Sequence, residues 1–251
     1  MKILVAGDVC PTASTEKFLV NGDLSAAFGD VRSVSTGADA FLINLECALT
    51  AAETAIRKYG PNLKAAPECA QALRGFGVTD AGLANNHIYD YGRKGYFDTL
   101  RALEEAGIRY TGVGMNAQCA RKKHTIALDG KSICLIAVGD REYSYALANR
   151  EGIRVFDPID TIEDVRDARN DSDFIIVTYH GGSEQCRYPS PRVRKLCQAM
   201  VRAGADLVLC QHSHCIGVME KYEGKMILYG QGNFYFNLAE EEDNPHWKNG
   251  L

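Results

Sequence analysis

The sequence predicts an α/β protein: a largely parallel sheet with covering helices. Two observations carry that prediction. Short apolar, β-branched runs of strand length alternate through the first half with segments whose apolar residues recur at helical spacing. Nearly every such run also ends in a small polar cluster, the place where open α/β sheets gather ligands beyond their strand ends. No internal repeat, low-complexity segment or linker interrupts the pattern, so residues 1–251 read as one domain.

The first strand covers residues 2–6 and stops at Gly7-Asp8, followed by Cys10-Pro11 and a Thr/Ser-rich segment. Residues 38–43 form the second, which hands over to Asn44-Leu45-Glu46. Residues 51–67 are polar and turn-rich, a loop over the sheet's rim. Pro67 then opens a helix that runs through Cys69, Ala70, Leu73 and Arg74 to Gly75 or Gly77. A third strand, 78–84, delivers Asn85-Asn86-His87 and then Asp90-Tyr91-Gly92. Phe97, Leu100, Leu103 and Ala106 mark a helix over 95–106 that closes at Gly107, and 108–113 returns as a strand.

From residue 123 the pattern changes. Runs 124–128 and 132–138 flank Asp129-Gly130, a hairpin signature, and Gly139-Asp140-Arg141 ends the second run. A helix over 161–170 precedes strand 174–178, which stops at Tyr179-His180-Gly181-Gly182. The helix over 189–203 carries Val193, Leu196, Cys197, Met200 and Val201 on its apolar side. The run 205–209 leads into Cys210-Gln-His-Ser-His-Cys215, and a second hairpin (218–222, 226–229) precedes the glycine-rich residues 230–234.

Composition narrows the function classes. The chain has 28 basic and 32 acidic residues, a net charge of −4, with no long block of one sign. A nucleic-acid partner would need a clustered basic patch; Arg192, Arg194, Lys195 and Arg202 read instead as a solvated helix face. No apolar run reaches eighteen residues, so no membrane segment is expected, and residues 1–8 are too short and too acidic for a signal peptide. The nine cysteines are an odd number without a Cys-x-x-Cys pair, which fits a reducing, cytoplasmic location and argues against a disulfide framework.

The chemistry gathers at the strand ends. His212 and His214 are two of only six histidines, and in extended geometry residues i and i+2 point to one side. Asp8, Glu46, Asn86 and His180 each end or follow a different apolar run, with His87 adjacent to Asn86. Carboxylate, amide and imidazole ligands suit divalent Zn, Mn or Fe. Six ligands exceed the need of one tetrahedral centre, and a bridging carboxylate lets them serve two metal ions. A plainer reading makes Asn44, Asn85, Asn86 and Asn233 turn-formers and His124 and His246 surface histidines. That accounts for single clusters but not for their joint placement.

The blocks Gly7-Asp8, Asn44-Leu-Glu46, Ala84-Asn-Asn-His87 with Asp90-Tyr-Gly92, His180-Gly-Gly-Ser-Glu184, His212-Ser-His214 and Tyr229-Gly-Gln-Gly-Asn233-Phe234 together resemble the CapA family. Those are the poly-γ-glutamate capsule synthesis proteins, with a calcineurin-like metallophosphoesterase fold. The resemblance implies a four-layer α/β/β/α sandwich with metals at the strand ends. It implies that Asp8 and His214 hold one ion and that Asn86, His180 and His212 hold the other, with Glu46 bridging. His87 would be the general acid or a transition-state contact, and Asp90 and Glu184 would orient the histidines.

Three departures from the family pattern stand out. Cys10 replaces the histidine of the superfamily's Asp-x-His motif, which leaves the first of the two expected ions with fewer protein ligands unless the thiolate coordinates, one ion being the alternative. Gly181 replaces a tryptophan, with a wider pocket as the expected result. Trp247-Lys-Asn-Gly250-Leu251 resembles a segment after which family chains commonly continue, so the chain reads as a fragment or a short form lacking the last strands.

The function implied is metal-dependent hydrolysis of a phosphoester or amide bond. Its substrate is a small anion or a γ-linked glutamate polymer, received by Arg141 and by Lys58 or Lys64. The alternative is a non-catalytic metal- or polyglutamate-binding accessory of exopolymer synthesis.

Overall fold

The computed structural model describes residues 1–237; His246 and the Trp247-to-Leu251 segment lie outside them. The first half runs β1 (Ile3–Cys10), α1 (Ala13–Val20), α2 (Leu24–Phe28), α3 (Val31–Ser35), β2 (Ala40–Leu45), β3 (Ala48–Leu49), β4 (Lys64–Ala65), α4 (Cys69–Phe76) and β5 (Asp80–Gly82). Then follow α5 (Gly92–Ala106), β6 (Arg109–Thr111), β7 (Val113–Gly114) and α6 (Ala117–Ala120). The second half runs β8 (His124–Leu128), β9 (Lys131–Gly139), β10 (Gly152–Ile153), α7 (Pro158–Arg169), β11 (Phe174–His180) and α8 (Pro191–Ala203). It closes with β12 (Leu207–Gln211), β13 (Met219–Tyr222), β14 (Lys225–Leu228) and β15 (Asn233–Phe236).

Two sheets result. The first is wholly parallel, in the order β15-β1-β2-β5-β6. The second, β13-β14-β12-β11-β9-β8, is parallel at its centre and antiparallel at both edge pairs. Among the described residues no helix is long and apolar enough to cross a membrane.

Alternation along the strands builds the layers, because successive side chains leave a strand on opposite faces. In β11, Ile175 and Val177 meet Val165 of α7 and Met200 of α8, whereas Ile176 joins Leu42, Leu135 and Leu209 between the sheets. In β2, Phe41 and Ile43 pack with Leu73 and Phe76 of α4 and Leu103 of α5, whereas Ala40 and Leu42 face the second sheet. Helices on the first sheet, two sheets face to face and helices on the second give the expected α/β/β/α sandwich.

The same alternation aims the chemistry. Asn44 continues the inward set of Ala40 and Leu42, and His180 continues that of Ile176. β1 reaches its end differently: its ladders shift register between Val5 and Asp8 and again between Asp8 and Val9. Such irregularities re-aim side chains. Asp8 is fully buried beside Asn44 of β2, while Val9 and Cys10 fall into the core under the helices.

Local chemistry sets the helix ends. The Asp157 carboxylate accepts from the backbone N–H groups of Ile159 and Asp160, with Pro158 in the first helical turn of α7, a cap that contributes about 1 kcal/mol. Ser190 caps α8 in the same way through Val193 N–H, ahead of Pro191. α7 thus starts three residues earlier than its apolar spacing predicts, α8 two residues later, and α4 begins at Cys69 rather than Pro67. The predicted strand 108–113 is broken at Gly112, whose φ of +82° ends β6 before β7 begins. The loop expected over 51–67 contains β4, paired with β3.

His124 corrects the surface reading. Its Nε2 lies 2.6 Å from Asp80 Oδ1, a fully buried carboxylate, with its own side chain 15 % exposed. The pair joins β8 of the second sheet to β5 of the first.

Candidate metal centre

The candidate ligands converge at the C-terminal ends of the strands, in the seam between the sheets. The first sheet supplies Asp8, Asn44, the following Glu46, and Asn86 from the turn after β5. The second supplies His180 at the end of β11, with His212 and His214 just past β12. Asp8 and Glu46 are fully buried, and Asn86, His180, His212 and His214 are all buried.

His212 and His214 do not meet through an extended i, i+2 pair. Both adopt positive φ, +79° and +53°, a conformation that costs non-glycine residues about 1–3 kcal/mol each and persists where surroundings over-determine it. The tight turn they form is backed by the 230–232 loop. A Cβ on Gly230 would lie 2.6 Å from Cys215 O and 2.8 Å from Ser213 Oγ, so only glycine lets the loop lie against the turn. The Gln211 side chain donates to Gln231 Oε1 at 3.0 Å and completes that contact.

Two ligand clusters share Glu46. Asp8, Glu46 and His180 place ligand atoms within 4.8 Å of one another, and so do Glu46, His212 and His214. The imidazole centroids of His180 and His212 are 4.9 Å apart, and those of His212 and His214 6.1 Å. Two buried atoms in this group have no hydrogen-bond partner: Glu46 Oε1 and His212 Nδ1. Glu46 Oε1 is 3.2 Å from His180 Nε2, but the pair does not have hydrogen-bond geometry. Orphaned polar atoms are rare in protein interiors and call for a ligand.

Asn44 sits among the acids. Its Nδ2 donates to Asp8 Oδ1 at 2.7 Å and to Glu46 Oε2 at 3.5 Å, and it lies 3.2 Å from His180 Nδ1. Asn85 supports from behind: its Nδ2 donates to Asn44 Oδ1 and Leu45 O, and its Oδ1 accepts from the N–H groups of His87 and Ile88. Asn233 Oδ1 lies 2.8 Å from His214 Nδ1; as an acceptor it takes the hydrogen bond of Nδ1–H, so in the neutral ring Nε2, 3.9 Å from Glu46 Oε1, carries no hydrogen.

Burial without a cation is electrostatically costly. Desolvation, then the neighbouring Glu46 charge, pushes Asp8 up to about 8. Desolvation, reinforced by Glu184 and Glu142, raises Glu46 to about 8. Desolvation also lowers His180 to about 4 and His212 and His214 to about 3, so all three imidazoles are neutral near pH 7, the form that binds metal.

Outside the clusters, a cleft of about 620 Å³ opens over His87, Asn86 and His214, with Lys58, Tyr59 and Leu63 on one wall and Arg141, Glu142 and Tyr143 on the other. His87 Nδ1 lies 2.7 Å from Asp90 Oδ2. Glu184, 57 % exposed, approaches His212 Nε2 to 3.7 Å.

Several expectations change here. Cys10 joins neither cluster; its thiol packs with Cys47 and Thr12, and desolvation, then Cys47, holds it well above the usual thiol range. Gly181 does not line the cleft. A Cβ there would lie 2.4 Å from Asp140 Oδ2 and 2.9 Å from the Tyr179 hydroxyl, so Asp140 takes up the room next to it. Lys58 is not a free cation, because it is paired with Asp90. Lys64 donates to Ala52 O and lies over the Tyr91 ring, away from the cleft. Arg141 does line the cleft, exposed and stacked toward Tyr145.

Sequence reasoning missed Glu142. It faces His212 Nε2 at 3.9 Å and lies against the Asn86 amide, and its place just past the end of β9 was the available clue.

The family model for bacterial capsule synthesis protein PGA_cap matches residues 2–238. The chain belongs to the PGA_cap family. Over 182 residues this PGA_cap chain is 32 % identical to the capsule biosynthesis protein CapA of Bacillus anthracis, covering 70 % of this chain and 44 % of that protein. Over 179 residues it is 31 % identical to the PGA biosynthesis protein CapA of Bacillus subtilis, covering 70 % and 47 %. The PGA_cap chain thus spans about half the length of the curated relatives it matches.

Its fold is also that of a Staphylococcus aureus protein described as a 5′-nucleotidase, solved in complex with α-ketoglutarate. The TM-score is 0.54 at 14 % identity, over 92 % of this chain and 48 % of that one. The architecture is of the calcineurin-like metallophosphoesterase type.

Proposed function

We propose that this PGA_cap chain is a metal-dependent hydrolase of a phosphoester or amide bond, working in poly-γ-glutamate capsule synthesis. The observation that carries the reading is the pair of orphaned buried atoms, Glu46 Oε1 and His212 Nδ1, inside two clusters that share Glu46. Their donor set fits divalent Mn, Zn or Fe: two carboxylates, three neutral imidazoles and the Asn86 amide. Asp8, Glu46 and His180 would hold one ion and Glu46, His212 and His214 the other, with Asn86 beside His180. Bound there, such cations polarise the bond to be cleaved and lower the pKa of a water molecule.

The chain's own residues supply the rest. Arg141 offers a guanidinium to an anionic substrate group at the cleft wall. His87, held by Asp90, turns its outer ring edge to the cleft, where it contacts the reacting group. Tyr59, 92 % exposed, and Tyr143 form the lip. The relatives' names support a glutamate-polymer substrate.

A second reading, a non-catalytic metal- or polymer-binding accessory, draws support from the packing of Cys10 into the core, which leaves the Asp8 side without the superfamily's histidine. Metal analysis combined with Mn²⁺- and Zn²⁺-dependent hydrolysis of bis(p-nitrophenyl) phosphate and a γ-glutamyl anilide separates the two. The hydrolase reading expects bound metal and a rate that Asp8→Ala and His212→Ala each lower by roughly a hundredfold or more. Bound metal with no turnover of either substrate favours the accessory. No bound metal removes both metal readings.

A further inference from the structure

Lys58 lies in the loop that crosses the cleft, yet its ammonium points inward, with the side chain 2 % exposed. It donates to Asp90 Oδ1 at 2.5 Å and lies 3.1 Å from His87 Nδ1. Asp90 is fully buried. Its Oδ2 is 2.7 Å from His87 Nδ1 and accepts from Leu63 N–H at 2.7 Å.

Two bare acceptors do not approach to 2.7 Å, so His87 Nδ1 carries the hydrogen and donates to Asp90. Lys58 therefore cannot donate to that ring nitrogen, and its influence on the imidazole runs through the carboxylate. The Asp90 main chain tells the same story: its carbonyl accepts from Ile56 N–H and Asn62 Nδ2. Apart from His87, the donors to Asp90 oxygens among the described residues come from residues 56–63.

We propose that Lys58 is a positioning residue for His87, acting through Asp90. It fixes the carboxylate plane that selects the Nδ1–H tautomer of His87, because the bond made by one ring nitrogen decides what the other presents. In the neutral ring Nε2 then faces the cleft as the acceptor. The arrangement also makes that presentation depend on the docking of the 56–63 loop, whose Tyr59 N–H in turn bonds the Tyr143 hydroxyl across the cleft mouth. The inference rests on the hydrolase reading only for the catalytic value of His87; the tautomer itself does not.

The test uses the full chain, metal-free and ¹⁵N-labelled at histidine, with His87 assigned by its loss in His87→Gln. Two-bond ¹H–¹⁵N spectra of the parent are expected to show hydrogen on Nδ1 and none on Nε2. Lys58→Met, which fills the space without the charge, is expected to shift His87 toward the Nε2–H form. Lys58→Ala is expected to do the same and to recover on addition of ethylammonium, and it also serves if Lys58→Met fails to fold. In the Mn²⁺-loaded protein, Lys58→Met is expected to lower kcat for bis(p-nitrophenyl) phosphate by roughly tenfold or more, the scale of a small misplacement, with KM within about twofold.

Hydrogen on Nε2 of His87 in the parent overturns the proposal, and so does a His87 spectrum unchanged in both Lys58 variants. A parent protein that binds Mn²⁺ without hydrolysing either the ester or the γ-glutamyl anilide sinks the hydrolase reading alone, since the spectra decide the tautomer without turnover.

Discussion

Asp80 of β5 and His124 of β8 join the two sheets. Their 2.6 Å contact links β5 to β8, and the Asp80 carboxylate also accepts from Thr79 Oγ1 and Arg109. Burial pushes Asp80 up, but the hydrogen bonds from His124, Thr79 and Arg109 outweigh it and hold the group below its usual value. A carboxylate depressed in the folded state contributes stability above its unfolded pKa and loses it as pH falls through the folded value. His124→Ala is expected to cost about 1–3 kcal/mol, because it strips a donor from a buried carboxylate. In urea titrations the gap between the parent and Asp80→Asn should shrink below about pH 4. An equal gap at pH 7 and pH 3 contradicts this.

The strand-end carboxylates of the metal-free protein have the opposite dependence. Asp8 and Glu46 titrate near 8 in the folded protein against ordinary values of 3.8 and 4.5. Between about pH 6.5 and 8 the folded state therefore holds protons that the unfolded state has released, so its stability falls as pH rises. Below about 6.5 the three histidines, neutral in the fold, bind protons on unfolding and reverse the slope. Thermal melts in chelator should peak near pH 6.5 and decline by pH 8. Saturating Mn²⁺ should abolish the decline, because a bound cation keeps both carboxylates ionised.

Glu142 is expected to tune metal affinity without taking part in the ligand clusters. It lies against the Asn86 amide and faces His212 Nε2, the side away from the orphaned Nδ1. Acceptors behind a ligand fix which atom it presents, and their loss costs about 10–100-fold in affinity. Calorimetric titration of Glu142→Ala with Mn²⁺ should show a drop in that range while the metal-free melting temperature stays near the parent's. An unchanged affinity would make Glu142 a bystander.

Gly181→Trp restores the residue the family pattern carries, yet it should destabilise this chain. The first side-chain atom already meets Asp140 at 2.4 Å and the Tyr179 hydroxyl at 2.9 Å, and the hydroxyl donates to both Asp140 oxygens. A loss of about 1–3 kcal/mol in chemical denaturation is expected for such overpacking. Pairing it with Asp140→Ala should recover part of the loss if the clash is the cause.

The sequence made the layers and the strand ends readable for one physical reason: period-two burial is written locally. Phe41 and Ile43 against Ala40 and Leu42 show it within four residues, and Asn44 and Glu46 inherit the inward face. Contacts between distant residues leave no such mark. The Lys58–Asp90 pair spans 32 residues and looks like a surface lysine until the loop is folded. The His124–Asp80 pair spans 44. Nor did the sequence show that Cys10, two residues after Asp8, enters the core: the register shifts of β1 break the strand's alternation there. Helix α1 went unread because Phe18, Leu19 and Val20 sit side by side rather than at helical spacing, and α2 and α3, five residues each, are too short to show a period.

Glu46 and Asp8 come from one sheet and His180, His212 and His214 from the other, with an apolar layer that includes Leu42, Ile126, Leu135 and Leu209 between them. An ion seated among these ligands acts as a rivet through two plates. Its grip depends on how well the plates are aligned, and their alignment depends on its grip. A worn residue deep in the seam, far from any substrate, would loosen the rivet before it unfolded the protein.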